Sequence, residues 1–483
     1  MKLRKILALM LAVAMVFAVA AACADDYVPT TQPEAPAPEP DAPAPEPEAP
    51  TPEDENGEDE VVVERTHPPY PITIGATPVL SGPFTLLGQA GLNGIILALE
   101  WEDRVDDFNL VVEDSQANAE IAITVNELLR TRDDARIIIG TVTGGEGLAS
   151  AVWMQDHDDI LYMPLYSAPQ DITMREWSPG IVRAGFTGNQ TTFHFGRYVA
   201  QEMGIQDLVI IGANYAFPHS QAAGFTRGFL ENGGNSVERV WYPFGTLEFD
   251  PFMAQLIDLS RTHEAVLIVD GGASVLAFLA AWEAFGMDEF YDTLLGGTNI
   301  AFPFVLEQVP REFEGLISAT HYWYANPDPT NQEFVNRFVE RFGLLPDPVA
   351  VQGFDTMRAI IRALEIIDWD YQNTELLVST VAGLRMDDSP RGPFTFCDRQ
   401  SAVQDVYLTI MVWDEANNIM TTELIQRFPQ VTQFGPFDGW EAEYMAGPID
   451  GPDYPPGNRE AYFAELRNWF PDSFVDNLMA NGW

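Results

Sequence analysis

The stretch Ile72-Thr-Ile-Gly-Ala-Thr-Pro-Val-Leu80, followed by Ser81-Gly82-Pro83 and then Leu86 to Trp101, reads as a strand, a tight turn and a helix. The first segment is β-branched, apolar and short, as a strand buried on both faces should be. Ser-Gly-Pro breaks it with residues that turns prefer. After Gly88 the apolar positions Leu92, Ile95, Ile96 and Leu99 recur at helical spacing, with Ala98 small enough for close packing. This is the opening βα unit of an open α/β sheet, and such sheets take ligands at the carboxyl ends of their strands. Ser81 to Leu87 is therefore expected to form one wall of a ligand site.

The same alternation continues outward from that unit. Strands are expected at Asn109–Glu113, Arg136–Gly140 and Ile160–Leu165, with helices at Ala119–Thr131 and Glu146–Gln155. A second series starts near Thr187, with helices at 191–203, 220–232, 252–262 and 274–285 and strands at 207–211, 236–242 and 265–269. Two such series imply two lobes with parallel sheets, helices on both faces, and a cleft between them. From Thr330 helices dominate, at 330–342, 349–368 and 374–383, before a strand at Asp405–Trp413, read as part of a hairpin. Beyond Arg427 the chain is rich in Gly, Pro and aromatic residues. One helix is expected there, at 458–469, and the tail should pack along the outside of a lobe.

Residues before the first strand have a different character. Lys2, Arg4 and Lys5 precede an apolar run from Ile6 to Ala22 that ends Ala20-Ala21-Ala22-Cys23. A basic start, a short apolar core and small residues before a cleavage point make a secretory signal; the run is at the lower limit for a membrane span. Cys23 after three alanines resembles a bacterial lipobox, although Ala20 stands where Leu is usual; an ordinary Ala-x-Ala signal cut nearby is the alternative. Pro, Ala and Glu repeats then favour extended polyproline II, and the acidic cluster Glu53 to Glu60 repels itself. This composition suits a stiff tether able to reach on the order of 100 Å.

Formal net charge is −47, and no lysine follows Lys5. That excludes lysine Schiff-base and P-loop chemistry from the folded part and argues against nucleic acid or anionic lipid as partners. Cys23 and Cys397 are the two cysteines, so the folded part has no internal disulfide, and Cys397 is expected to be a small buried hydrophobe. No His-Glu-x-x-His, nucleophile elbow or paired-carboxylate pattern is present, and the histidines are scattered. Neither catalysis, a metal nor a cofactor is expected. Gly140-Thr-Val-Thr-Gly-Gly-Glu-Gly147 lies between a strand and a helix but lacks both the dinucleotide register and a following lysine. It reads either as a turn offering backbone N–H groups to a polar ligand or as a purely structural Gly-rich turn.

From about Ile72 to Asn417 the chain resembles the type I solute-binding proteins of branched-chain amino acid ABC transporters. The resemblance rests on Leu80-Ser-Gly-Pro83 with Gly88, Gly94 and Ala98, and on Val111-Val-Glu-Asp114 with Ala117 and Val125-Asn-Glu-Leu-Leu129. Ile137-Ile-Ile-Gly140, Gly224-Phe225, Phe249-Asp-Pro-Phe252, Gly353-Phe-Asp355 with Ala359, and Arg391-Gly-Pro-Phe-Thr-Phe396 complete it. It implies an α/β fold of two Rossmann-like lobes joined by three crossovers. A signal (1–23) and a linker (24–70) would precede lobe 1 (71–186 and 318–388), lobe 2 (187–317 and 389–428) and a C-terminal extension (429–483).

The same resemblance implies a set of ligand positions. Leu87 falls at the first turn, Thr143, Gly144 and Gly145 at the second, with Gly144 replacing a usual Ser, and Tyr166 and Ser167 at the third. In the second lobe Phe217 would stack on the ligand, while Asp270 stands where relatives often carry an aromatic. Thr298 stands where amino-acid binders have the acid that meets an α-ammonium. Either Asp270 supplies that charge, or the ligand is not an α-amino acid. Core packing is the competing role for Tyr166 and Phe217, and lobe packing is expected for Tyr322-Trp-Tyr324. The function implied is an extracytoplasmic, lipid-anchored, monomeric binding protein that hands a small polar solute to an ABC permease; a sensory module presenting the solute to a receptor is the alternative.

Overall fold

The computed structural model describes residues 66–482. The signal, Cys23 and nearly all of the tether lie outside the described residues. Four strands, β1 (Ile72–Thr77), β2 (Phe108–Val112), β3 (Ile137–Gly140) and β4 (Leu161–Met163), form a parallel sheet in the order β2-β1-β3-β4. They alternate with α1 (Thr85–Trp101), α2 (Ala119–Arg132) and α3 (Gly144–Met154). The chain then crosses to a second series: α4 (Gly188–Gln201), β5 (Asp207–Ala213), α5 (Ala216–Glu231), β6 (Ser236–Tyr242), α6 (Asp250–Leu259), β7 (Ala265–Val269), α7 (Ala273–Phe285), β8 (Thr293–Gly296), α8 (Pro303–Leu306) and β9 (Ile317–Thr320). A second crossover leads to α9 (Pro329–Phe342), α10 (Pro348–Ile366) and α11 (Thr374–Ala382). A third returns to β10 (Thr395–Phe396), β11 (Ala402–Asp414) and β12 (Ile419–Val431), and the tail carries α12 (Glu441–Ala446), α13 (Arg459–Leu466) and α14 (Asp472–Asn481).

The second sheet runs β10-β11-β9-β8-β7-β5-β6, with β12 paired to β11. Its parallel part, β6 to β9, is finished by the antiparallel hairpin β11–β12 laid along β9. In each sheet the chain reverses its direction of build beside the first strand, so β1/β3 and β5/β7 are the topological switch points where ligands collect.

Glycines explain how α10, late in the sequence, joins the first lobe. A Cβ on Gly94 of α1 would stand 2.0 Å from the carbonyl oxygen of Ala350, and one on Gly353 of α10 would stand 2.2 Å from that of Gly91. The two helices touch through their backbones. Asn118 caps α2 by accepting from the N–H groups of Glu120 and Ile121, and Asp347 caps α10 through Val349 and Ala350. At 20 residues, Gly82–Trp101 is apolar and long enough to cross a membrane by composition, but 61% of its most apolar window is buried in this core.

One buried side chain of the third crossover ties it to the first crossover and to both lobes. Arg391, 1% exposed, lies 2.8 Å from the Asp355 carboxylate of α10. It also donates to Ala184 O in the first crossover and to Gln404 of β11. His321, at the end of β9, stacks on Phe186 of the first crossover with centroids 4.1 Å apart.

Several boundaries differ from the sequence reading. Thr66 and His67, assigned to the tether, are docked: Thr66 O accepts from Arg104, and the His67 ring lies 2.8 Å from Asp107. Ser318–Thr320, assigned to the first lobe, complete β9 of the second sheet because they pair with Tyr407–Thr409. Strands β8, β9, β10 and β12 and helices α8, α12 and α14 were not anticipated. Cys397 is half-buried, with Gln433 Nε2 at 3.6 Å from its sulfur. The tail packs on β6 and α5, where Asp450 receives Arg227, Asn189 and Gln170.

Asp355→Ala should strand a buried guanidinium and cost about 3–5 kcal/mol, read as a lowered urea midpoint. The apolar pair Asp355→Leu with Arg391→Met should cost distinctly less, because it removes both charges together. Equal losses in the two proteins would show that the ion pair is not what the crossovers need.

Candidate functional site

The turns at the carboxyl ends of the strands face one another across the two lobes. Phe84 and Leu87 follow β1, Val142 and Thr143 follow β3, and Tyr166 follows β4. From the second lobe come Tyr215 and Phe217 after β5 and Asn299 after β8. These eight residues line a recess of about 10 Å³, room for one water at most. Tyr166 OH donates to Asn299 Oδ1 across the lobes at 3.0 Å. Phe84 stacks on Phe244 at 5.3 Å, and Tyr215 meets Phe244 edge-on at 4.8 Å. The turns of the two lobes touch here, and the recess as it stands has no room for a solute larger than water.

Of the residues singled out by sequence, Leu87, Thr143, Tyr166 and Phe217 meet at this cavity. Gly144 sits beside it: a Cβ there would stand 3.0 Å from Phe217 N, 2.9 Å from Pro169 and 3.2 Å from Ala216. Gly replaces the usual Ser because the second-lobe turn comes directly against it. Gly145 is exposed, with open space where a Cβ would be.

The polar groups of the second and third turns are spent differently from the sequence expectation. Both the N–H and the hydroxyl of Thr143 donate to Glu146 Oε2, at 2.9 and 2.6 Å. The Ser167 hydroxyl has one proton and faces Thr143 O at 2.8 Å and Thr141 O at 3.0 Å. Ser167 thus fastens the turn after β3 instead of donating into the cleft. Helix geometry leaves the N–H groups of Gly144 and Gly145 without intrahelical acceptors, and these are the donors the turn offers.

Asp270 and Thr298 stand behind the cavity. Asp270 accepts from Tyr242 OH at 2.6 Å and from Gly271 N at 2.8 Å, and burial pushes its carboxyl up to about 6. The Thr298 hydroxyl turns to Thr191 at 3.1 Å and borders a separate cavity of about 10 Å³ with Phe302 and Tyr322. Its neighbour Asn299 takes the cleft position. Phe84 falls within the wall expected from Ser81 to Leu87, whereas Val142, Tyr215 and Asn299 are lining residues that sequence reasoning did not select. Val142 and Asn299 lie next to selected turns. Trp323 and Tyr324 bond to Thr422 and Thr421 of β12, in keeping with a packing role. A larger recess of about 310 Å³ opens at the amino ends of β8 and β9 among Asp288, Asp292, Glu312 and Glu314. It lies at the end of the sheet away from the converging turns.

Residues 71–416 match the family model described as periplasmic binding protein, and the chain belongs to that family. Its members are extracytoplasmic proteins that bind small solutes for ABC transporters and are not enzymes. A Leu/Ile/Val-binding protein homologue from Brucella melitensis is 23% identical over 345 residues, covering 70% of this chain and 86% of the relative. Among solved structures, an ABC transporter substrate-binding protein from Sphaerobacter thermophilus superposes with TM-score 0.70 at 27% identity, over 75% of this chain and 99% of its own. A solute-binding protein from R. palustris in complex with benzoate gives 0.69 at 21%, over 75% and 97%. A leucine-binding protein from Thermotoga maritima gives 0.65 at 18%, over 74% and 99%.

Two outcomes test the site. Gly144→Ser should wedge the lobes apart, raising the radius of gyration in small-angle scattering; an unchanged radius would mean that the contact with Phe217 does not limit closure. Asp270, raised in the folded state, favours folding below pH 4 and loses that contribution as pH rises through about 6. Asp270→Asn should therefore gain on the parent protein between pH 4 and 7, by up to roughly 3 kcal/mol in urea unfolding.

Proposed function

We propose that this protein is the solute receptor of an ABC importer, held at the outer face of the cell membrane by a lipid on Cys23 and acting as a monomer. It captures a small polar solute, of the amino acid, amide, urea or small aromatic acid kind, between two lobes that close about the crossovers. Lobe 1 comprises the first sheet with α9 to α11, lobe 2 the second sheet, and the Pro-rich segment is the tether.

One observation carries this reading: turns from both switch points converge on a single small recess where the two lobes meet. Binding between two such surfaces removes most of a small ligand's area from water, and the ligand then stabilises closure by its contacts to both lobes. Phe217 and Tyr166 supply apolar faces from opposite lobes. Gly144 and Gly145 supply N–H donors at the α3 N-terminus, which suit a carboxylate or carbonyl. Leu87 sets shape. Asp270 is screened from the cavity by Tyr215 and acts as a background charge.

A thermal-shift screen with amino acids, amides, urea and aromatic acids should find at least one stabilising solute, and Phe217→Ala should weaken it about tenfold or more. Ser167→Ala should weaken it less, by loosening the turn after β3. Stabilisation by none of these solutes would sink solute capture, and full affinity in Phe217→Ala would sink the pocket. Mass spectrometry of the mature N-terminus should show a diacylglyceryl Cys23.

A further inference from the structure

A second cavity, of about 110 Å³, lies at the rim of the same cleft. Leu86, Gln89, Ala90 and Asn93 of α1 form one wall, and Phe338 of α9 with Leu344 and Leu345 another. Pro303 and Phe304 of α8 close it from the second lobe. It is about eleven times the volume of the first recess, and its walls likewise belong to different lobes.

Its floor carries Asp347, 7% exposed. One carboxylate oxygen accepts from the N–H groups of Val349 and Ala350, both at 2.9 Å. Among the described residues no basic side chain pairs with this carboxylate. The only other charged residue around the cavity is Glu307, also acidic. Leu86 is 62% exposed and Leu344 57%, an apolar rim at the mouth of a buried negative charge. The two cap bonds and the α10 N-terminus offset part of the cost of taking this carboxylate out of water, and a cation against its other oxygen would offset more. A ligand bringing a positive charge and an apolar body would satisfy both features, and a chain of net charge −47 draws cations toward it.

We propose that the rim cavity is a second subsite of the cleft, built for a hydrophobic organic cation whose ammonium group pairs with the Asp347 carboxylate. This rests on the reading of the chain as a hinge-closing solute receptor and narrows its ligand class. The apolar body lies along Leu86, Ala90, Phe304 and Phe338, and the Gln89 and Asn93 amides border the polar end. Aromatic faces at Tyr166 and Phe217 favour a cation in the adjoining cleft as well. An anion such as a benzoate finds no positive side chain in either cavity.

The test uses the mature chain in calorimetric titration and thermal shift with 2-phenylethylamine, against 3-phenylpropionate, L-leucine and benzoate. Asp347→Asn is the informative variant, because asparagine retains the helix cap and removes only the charge. The amine should bind the parent protein, with 3-phenylpropionate much weaker, and Asp347→Asn should lose roughly ten- to a hundredfold in affinity for the amine. Burial pushes the Asp347 carboxyl up to about 7, so affinity for the amine should fall as pH drops from 8 to 6 in the parent and stay flat in Asp347→Asn. The other titratable groups facing Asp347 are Glu307 and the phenols of Tyr166 and Tyr322, and burial holds both phenols neutral across that range. Equal binding of the amine by both proteins overturns the proposal. Leucine or benzoate binding unchanged in Asp347→Asn, with no response to the amine, overturns it while leaving solute capture intact. No response to any solute in either screen overturns both.

Discussion

One buried ion pair, Arg391–Asp355, ties the third crossover to the first crossover and to both lobes. A guanidinium at 1% exposure joins α10 of the first lobe, β11 of the second and the carbonyl of Ala184 in the first crossover. Gln404 extends the network to Gly185 O at 3.0 Å and Gln190 at 2.9 Å. Such a pair adds little net stability over an apolar core, but breaking one side of it is severe. Its value here is positional: directed bonds hold these segments at fixed separations, whereas an apolar core would let them slide. His321 belongs to the same knot, fully buried against Phe186, and burial beside Arg391 keeps its imidazole neutral.

Across the cleft the lobes meet through the Tyr166–Asn299 bond and through Phe84 packed on Phe244, around space for a single water. Two carboxyls, Asp270 and Asp347, are buried in this arrangement, and burial raises both. Asp270 is held within the second lobe by Tyr242 and Gly271, whereas Asp347 lines the rim cavity between the lobes.

The fold was largely legible in the sequence. Strand and helix periods are local properties, so β1 with α1, β5 with α5 and the central helices fell where β-branched runs and 3.6-residue spacing put them. β8 and β9 were missed because Thr293–Gly296 and Ile317–Thr320 are four residues long, and β12 because Ile419–Val431 sets its apolar residues in pairs instead of alternating them and carries Pro429. The site was legible by position and not by bonding. Leu87, Thr143, Tyr166 and Phe217 follow strands, and strand ends converge in any doubly wound sheet. Nothing local reveals that the Thr143 and Ser167 hydroxyls are consumed by Glu146 and by main-chain carbonyls, or that Asn299 and not Thr298 reaches the cleft.

By itself the sequence determined a parallel α/β build in two series and an acidic, lysine-free folded part, because each follows from composition or short-range period. Tertiary structure alone decided strand order, the docking of α10 on α1 through Gly94 and Gly353, the burial of Arg391 between the first crossover and both lobes, and the placing of Asp347 at the rim of the cleft. Each joins residues tens to hundreds of positions apart, and the free energy of such contacts depends on which surfaces the fold brings together.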